Sequence, residues 1–350
     1  MNPCNLDLLA HAVQTNCHIA DARHASDMTL CIYLLQMREF YRWEKGIAPM
    51  HSLSHDAVGA WLSAREALWN QLEESPWQAL VVEEQSFDPF DVVSLNKMLQ
   101  PQGLVYGAGF TGPGRASFFL GELTSVQQRD GVPLWVSGRE YARGLSSPPA
   151  ALSNNTIFLR QESLQRWVWE KYETWTLRRS DGAFKSALDA YDYATIGEQA
   201  LERMAQAQAE TLILHELGEA RVASLLGPDW ADMRSALSER RTELYARAAR
   251  DLLADCLVTL PTLLGRRDDA ALHFMFSNFD GLRAHLFPRL INDYTAWCAG
   301  DRHALPQALA HGAMHWQQVC QQVLALHHAQ GDDAQVSIKQ LLESHACVLQ

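Results

Sequence analysis

The stretch Thr211–Leu226, TLILHELGEARVASLL, puts a histidine and a glutamate four residues apart in an otherwise apolar helical run. At about 100° per residue, Leu201, Met204, Leu212, Glu219, Val222 and Leu226 fall within about 60° of His215. His215 and Glu219 therefore belong to the apolar stripe of a helix expected from Ile196 to Leu226 and stopped by Gly227-Pro228. Glu216 falls about 100° away, at the edge of that stripe.

A carboxylate inside an apolar stripe is costly unless it is paired or holds a metal. The i,i+4 spacing lays both side chains over one patch, as ligation by a single ion requires. A second helix is expected over Asp232–Leu260, with Pro261 beyond it. Met233, Leu237, Leu244 and Ala248 define its stripe, and Asp251 and Asp255 continue it within about 20° of Leu244. Two helices joined by so short a turn pack antiparallel. His215, Glu219, Asp251 and Asp255 are thus four candidate ligands for one or two metal ions. The competing reading is a core histidine bonded to Glu219 or Asp255, with the aspartates paired to Arg221, Arg247 or Arg250.

LILHELGEA resembles the active-site helix of zincin metallopeptidases, whose usual form is HELGH followed by alanine. The order of elements, a small sheet, a helix and then this helix, is similar to the core of the gluzincin type. The resemblance covers nine residues and implies His215 as a zinc ligand and Glu216 as the general base on water. Glu219 stands where the second histidine belongs, and a carboxylate there lowers the Lewis acidity of the metal. Glu243 occupies the sequence position of a gluzincin third ligand, but it lies about 100° off the stripe. A ferritin-like di-iron site needs Glu-x-x-His pairs, which these two helices lack.

The rest of the chain sets the frame. Its 350 residues, 47% hydrophobic, are enough for one large core or two medium ones. No run of about 18 apolar residues suits a membrane span, and the N-terminus does not read as a signal peptide. A formal charge of −12 argues against nucleic-acid and anionic-membrane partners. Seven scattered cysteines without a CxxC fit reduced thiols in the cytoplasm. The tryptophans sit mostly at helical spacing and read as core.

Up to about residue 100 the pattern is helical: Met28 to Glu44, His55 to Glu74 with Ser54 as cap, and a short helix opening at Asp88-Pro89. From 101 to 160 the runs GLVYGAGF, ASFFLGEL, VPLWVSG and TIFLR, separated by TGPGR, RDG and SSPPAALSNN, read as a small antiparallel meander with a long last connection. GAGFTGPGR fits a glycine-rich hairpin rather than a phosphate loop. From 161 to 350 the chain is helical again. The fold class expected is α+β, predominantly helical, in three regions: 1–100, 101–160 and 161–350.

Other polar clusters have structural readings. His51 and His55 flank an exposed turn near Pro49. His311, His315 and His327-His328 lie on an ordinary amphipathic helix, and Glu39 and Glu44 have Arg38 and Arg42 to pair with. The leading expectation is a metal-binding protein, with zinc first and iron or manganese as alternatives. A hydrolase acting on a peptide or small molecule is its chemical form. A helical scaffold with a buried polar network and an iron or manganese redox enzyme are the competing functions.

Overall fold

The computed structural model describes residues 3–48, 51–112 and 115–350. They form an α+β protein, mostly helical, whose chain divides into two compact units. One takes in the chain up to Gln128 and Pro133–Trp169; the other takes in Glu170–Gln350 and Arg129–Val132. No helix among the described residues is long and apolar enough to cross a membrane.

The first unit opens with three helices, α1 (Pro3–His24), α2 (Leu30–Lys45) and α3 (His55–Leu72). Ser54 caps α3 as expected, accepting from the Ala57 amide. A two-stranded hairpin, β1 (Leu80–Val82) and β2 (Gln85–Phe87), follows within the region expected to be helical. Its turn residues, Glu83 and Glu84, both have positive φ, a conformation normally signalled by Asn or Gly. Two glutamates carry no such signal.

Helix α4 (Val92–Leu99) starts later than Asp88-Pro89 suggests. Asp88 instead closes a local turn by accepting from the Phe90 amide, and Asp91 caps the helix by accepting from Ser94.

Five strands then form one curled sheet: β3 (Leu104–Gly112), β4 (Arg115–Arg129), β5 (Val132–Arg143), β6 (Ala150–Ser153) and β7 (Thr156–Arg160), in the order β3-β4-β5-β7-β6. β3 and β4 pair antiparallel from Leu104↔Glu122 to Gly112↔Arg115, as the hairpin reading of GAGFTGPGR requires. Pro113-Gly114 lie outside the described residues, as does Pro49 of the expected exposed turn. The sheet is mixed rather than a pure meander. The long connection after β5 leads to the edge strand β6, and Asn154-Asn155, both at positive φ, turn the chain back so that β7 runs parallel to β5. Leu9, Val13, Cys17 and Ala20, at helical spacing on α1, pack in one core with Tyr106, Phe118 and Leu120 of the sheet. The acidic pairings expected at α2 are present: Arg38 and Arg42 lie 2.9 and 3.3 Å from Glu39. Glu44 takes Arg65 instead.

Helix α5 (Gln161–Arg178) leads into a second, helical set: α6 (Ala183–Ala190), α7 (Tyr193–Ile196), α8 (Glu198–Leu226), α9 (Asp229–Ala236), α10 (Arg240–Ala254), α11 (Leu260–Arg266), α12 (Asp269–Ser277), α13 (Gly281–Leu286), α14 (Pro288–Cys298), α15 (Ala304–Gln330) and α16 (Gln335–Leu342). Helix α8 ends at Gly227, φ 77°, as its sequence indicates. The helix expected over Asp232–Leu260 is instead three pieces. Leu237 is extended and buried, and the Ser238 amide and hydroxyl both donate to Gln335, which ends α9. Between α10 and α11 the chain widens into a π turn, Asp255–Thr259. Pro261 follows after Leu260; a proline ring cannot fit against the carbonyl four residues back in a regular helix, and the widened turn takes up the strain. The six cysteines whose side chains are described are all free thiols.

Candidate metal centre

The HELGE helix and its partner meet at unusually short range, and glycine is the reason. A Cβ added to Gly218 would lie 3.0 Å from the carbonyl oxygen of Ala254 and 3.2 Å from its Cβ. Gly218 thus lets α8 settle against the last turn of α10, where Asp251 and Asp255 stand. Gly218→Val should cost about 1–3 kcal/mol in urea unfolding through overpacking. Gly265→Ala, at a helical glycine with open space around it, should gain rather than lose stability.

Packing on several sides buries α8 over much of its circumference rather than along one stripe. Glu216, expected at the stripe's edge, is buried, with 7% of its surface exposed. His215 and Glu219 keep partial access to solvent, with 19% and 15% of their side chains exposed.

The structure brings His215, Glu219 and Asp251 together: one ligand atom from each lies within 4.8 Å of the others. His215 Nε2 is 3.5 Å from Glu219 Oε1. Asp255 does not join this set. Its Oδ1 lies 2.8 Å from the other ring nitrogen, Nδ1 of His215, and its Oδ2 accepts from Arg283 at 3.2 Å. The π turn carries Asp255 at its first residue and leaves it fully buried behind the imidazole. A carboxylate on the far nitrogen of a histidine fixes ring orientation and tautomer, the usual support for a metal-binding imidazole.

Arg250 sits across the front of the cluster. Its Nη2 lies 2.7 Å from Glu219 Oε1 and 2.8 Å from Asp251 Oδ1. Three carboxylates, Glu219, Asp251 and Asp255, thus share two guanidiniums, Arg250 and Arg283, and one imidazole. Burial disfavours charge on His215, but Asp255 outweighs it and raises the imidazole pKa well above its ordinary value. Burial likewise opposes ionisation of Glu219, yet His215 and Arg250 hold it down to about 2. Asp251 moves the other way: burial raises its pKa, with the Glu219 charge adding and Arg250 opposing. Asp255 is lowered despite its burial by His215 and Arg283.

Glu243, at the gluzincin third-ligand position, is engaged by Arg234 at 2.8 Å and Arg247 at 3.1 Å and stands apart from the triad. Arg283, the second cation of the site, arrives from α13. Nothing in its local sequence, GLRAHL, marks it. Of the other histidines, His315 Nε2 meets the Cys347 carbonyl at 3.0 Å and His328 meets Asp229 at 2.8 Å, both structural contacts.

No curated protein and no solved structure matches the chain. Two sequence models, neither of them a zincin peptidase, match it over residues 8–160 and 165–345, as the N-terminal and C-terminal domains of one family of unknown function (DUF6866), and the chain belongs to that family.

Proposed function

We propose that the chain binds a divalent cation through His215 Nε2 and the carboxylates of Glu219 and Asp251. The observation that carries this reading is the division of labour around His215. Asp255 holds Nδ1 at 2.8 Å, which leaves Nε2 facing two carboxylates in a triad no wider than 4.8 Å. One nitrogen and two oxygens suit zinc, and also iron or manganese.

The finer proposal is hydrolysis of a peptide or small-molecule substrate. The ion would supply Lewis acidity, and Glu216, adjacent to His215 and buried beside it, would take the proton from the attacking water. The resemblance of LILHELGEA to the zincin helix supports that role.

A specific observation favours a second reading. Arg250 already bridges Glu219 and Asp251, as the central cation of a purely structural ion-pair network would. Titration with zinc separates the two. The metal reading expects saturable binding that His215→Ala weakens by about 100-fold or more. Asp255 raises the pKa of the metal-free imidazole, so a cation at Nε2 competes with a proton. Calorimetry in buffers of different ionisation enthalpy should report release of about one proton, and affinity should rise about tenfold per pH unit until His215 titrates. Zinc uptake that is absent, or that is independent of pH and of His215, speaks for the structural network.

A further inference from the structure

The curl of the sheet brings its two edge strands, β3 and β6, near one another: a Cβ on Gly109 would stand 3.5 Å from Ser153 Oγ. Between them lies a hollow of about 130 Å³ on the concave face. The alternation in GLVYGAGF makes it. Gly107 and Gly109, two residues apart, face inward with no side chain, and Phe119 lies over Gly107 where a Cβ would run into its ring. Phe119 and Phe158, edge to face at 5.8 Å, form the apolar wall.

One charged group lines this hollow, with Ser117 and Ser153 as its other polar residues. Arg160, at the end of β7, is 4% exposed, and its guanidinium stacks 4.3 Å from the Phe119 ring centroid. Its Nε and Nη2 donate to Glu140 at 3.1 and 2.7 Å, while its Nη1 donates to no described residue. The unused Nη1 donors are open to an acceptor that enters the hollow. The surroundings favour an anionic one. Glu140 is held ionised by Arg143 as well as Arg160. Asp21, the other carboxylate near Arg143, is pushed by burial up to about 7 and so carries only part of its charge at neutral pH.

We propose that this hollow is a binding site for a small apolar carboxylate, its ring or branched chain between Phe119 and Phe158 and its carboxylate on Arg160 Nη1. The volume matches a single aromatic ring; a dry cavity of about 150 Å³ accepts benzene. The site is independent of the His215 cluster and stands or falls without it.

Benzoate is the probe and benzyl alcohol its neutral counterpart, followed by saturation-transfer NMR and calorimetry on the full chain. Benzoate is expected to bind with a Kd of about 1 mM or tighter, and benzyl alcohol about tenfold more weakly for want of the charged contact. Gly109→Leu and Ser153→Leu fill the hollow from its accessible edge without touching the Arg160–Glu140 pair. Each should weaken benzoate by about tenfold or more with the far-UV circular dichroism unchanged. Equal binding of benzoate and benzyl alcohol, no binding of either, or binding that survives both filling substitutions would overturn the proposal. The comparison of the two probes on the wild-type chain needs no variant, so a variant that fails to fold leaves the test intact.

Discussion

Asp255→Ala should be among the most destabilising single substitutions in the C-terminal half, costing about 3–5 kcal/mol in urea unfolding of the metal-free protein. Asp255 is fully buried and holds two cations, His215 at 2.8 Å and Arg283 at 3.2 Å. Truncating it leaves both without their counter-charge in a packed interior. The loss has a definite pH dependence. Asp255 has a lowered folded pKa, so its contribution is present above the unfolded value near 4 and fades as pH falls through the folded one. His215 has a raised folded pKa, so its contribution is complete below the unfolded value near 6.5 and fades as pH rises through the folded one. The difference between wild type and Asp255→Ala should therefore be greatest between about pH 4 and about pH 6.5 and shrink toward alkaline pH. A difference that grows steadily with pH would mean that the Asp255–His215 pair is not the source of the stability. Asp255→Asn, which keeps the size but not the charge, should leave a folded protein with metal affinity reduced by about 10–100-fold, since it disturbs only the support of the ligand.

Arg250→Met carries the other large effect and separates two accounts of the same residues. In the metal-free protein Arg250 is the cation that Glu219 and Asp251 share. Its loss sets two largely buried carboxylates against each other and should cost about 3 kcal/mol or more. A divalent cation competes with Arg250 for the same oxygens, so the substitution should tighten zinc binding, and saturating zinc should restore most of the lost thermal stability. A purely structural network expects the same loss without rescue. Differential scanning calorimetry of wild type and variant, each with chelator and with zinc, reads both quantities.

The candidate ligands were legible because helical periodicity is a strong signal over long segments. His215 and Glu219 on α8 and Asp251 on α10 needed only their spacing and the expectation that consecutive helices pack face to face. What periodicity could not supply was local departure from it. Asp255 sits one turn beyond Asp251, but the π turn that begins there carries it behind the imidazole instead of beside the triad. Pro261 was the visible cause, read as a stop signal when it marks a widened turn in a chain that continues helical. Glu216 was misjudged for another reason: a stripe argument presumes one buried face, whereas α8 is packed on several. Arg283 comes from a separate helix, and only the tertiary structure could bring it in.

The same contrast runs through the fold. The stop at Gly227-Pro228 is legible because glycine suits the positive φ it adopts, whereas SSPPAALSNN reads as one long connection and hides strand β6, Ala150–Ser153, ahead of the Asn154-Asn155 turn. The hairpin of β1 and β2 went unseen because Glu83 and Glu84 adopt positive φ without a residue type that announces it. The parallel placement of β7 beside β5 depends on which edge the chain returns to, and alternation within a strand does not encode that choice.

Elemental analysis of the full chain, purified without chelators or a histidine tag beside His215→Ala confirmed as folded by circular dichroism, decides whether the HELGE helix holds a metal. The expected result is about one zinc, iron or manganese per wild-type chain, or one taken up on reconstitution, and none retained by the variant. A wild-type chain that is metal-free and takes up none of the three, or a folded His215→Ala that retains its metal, would contradict the account and leave the cluster as a buried ion-pair network.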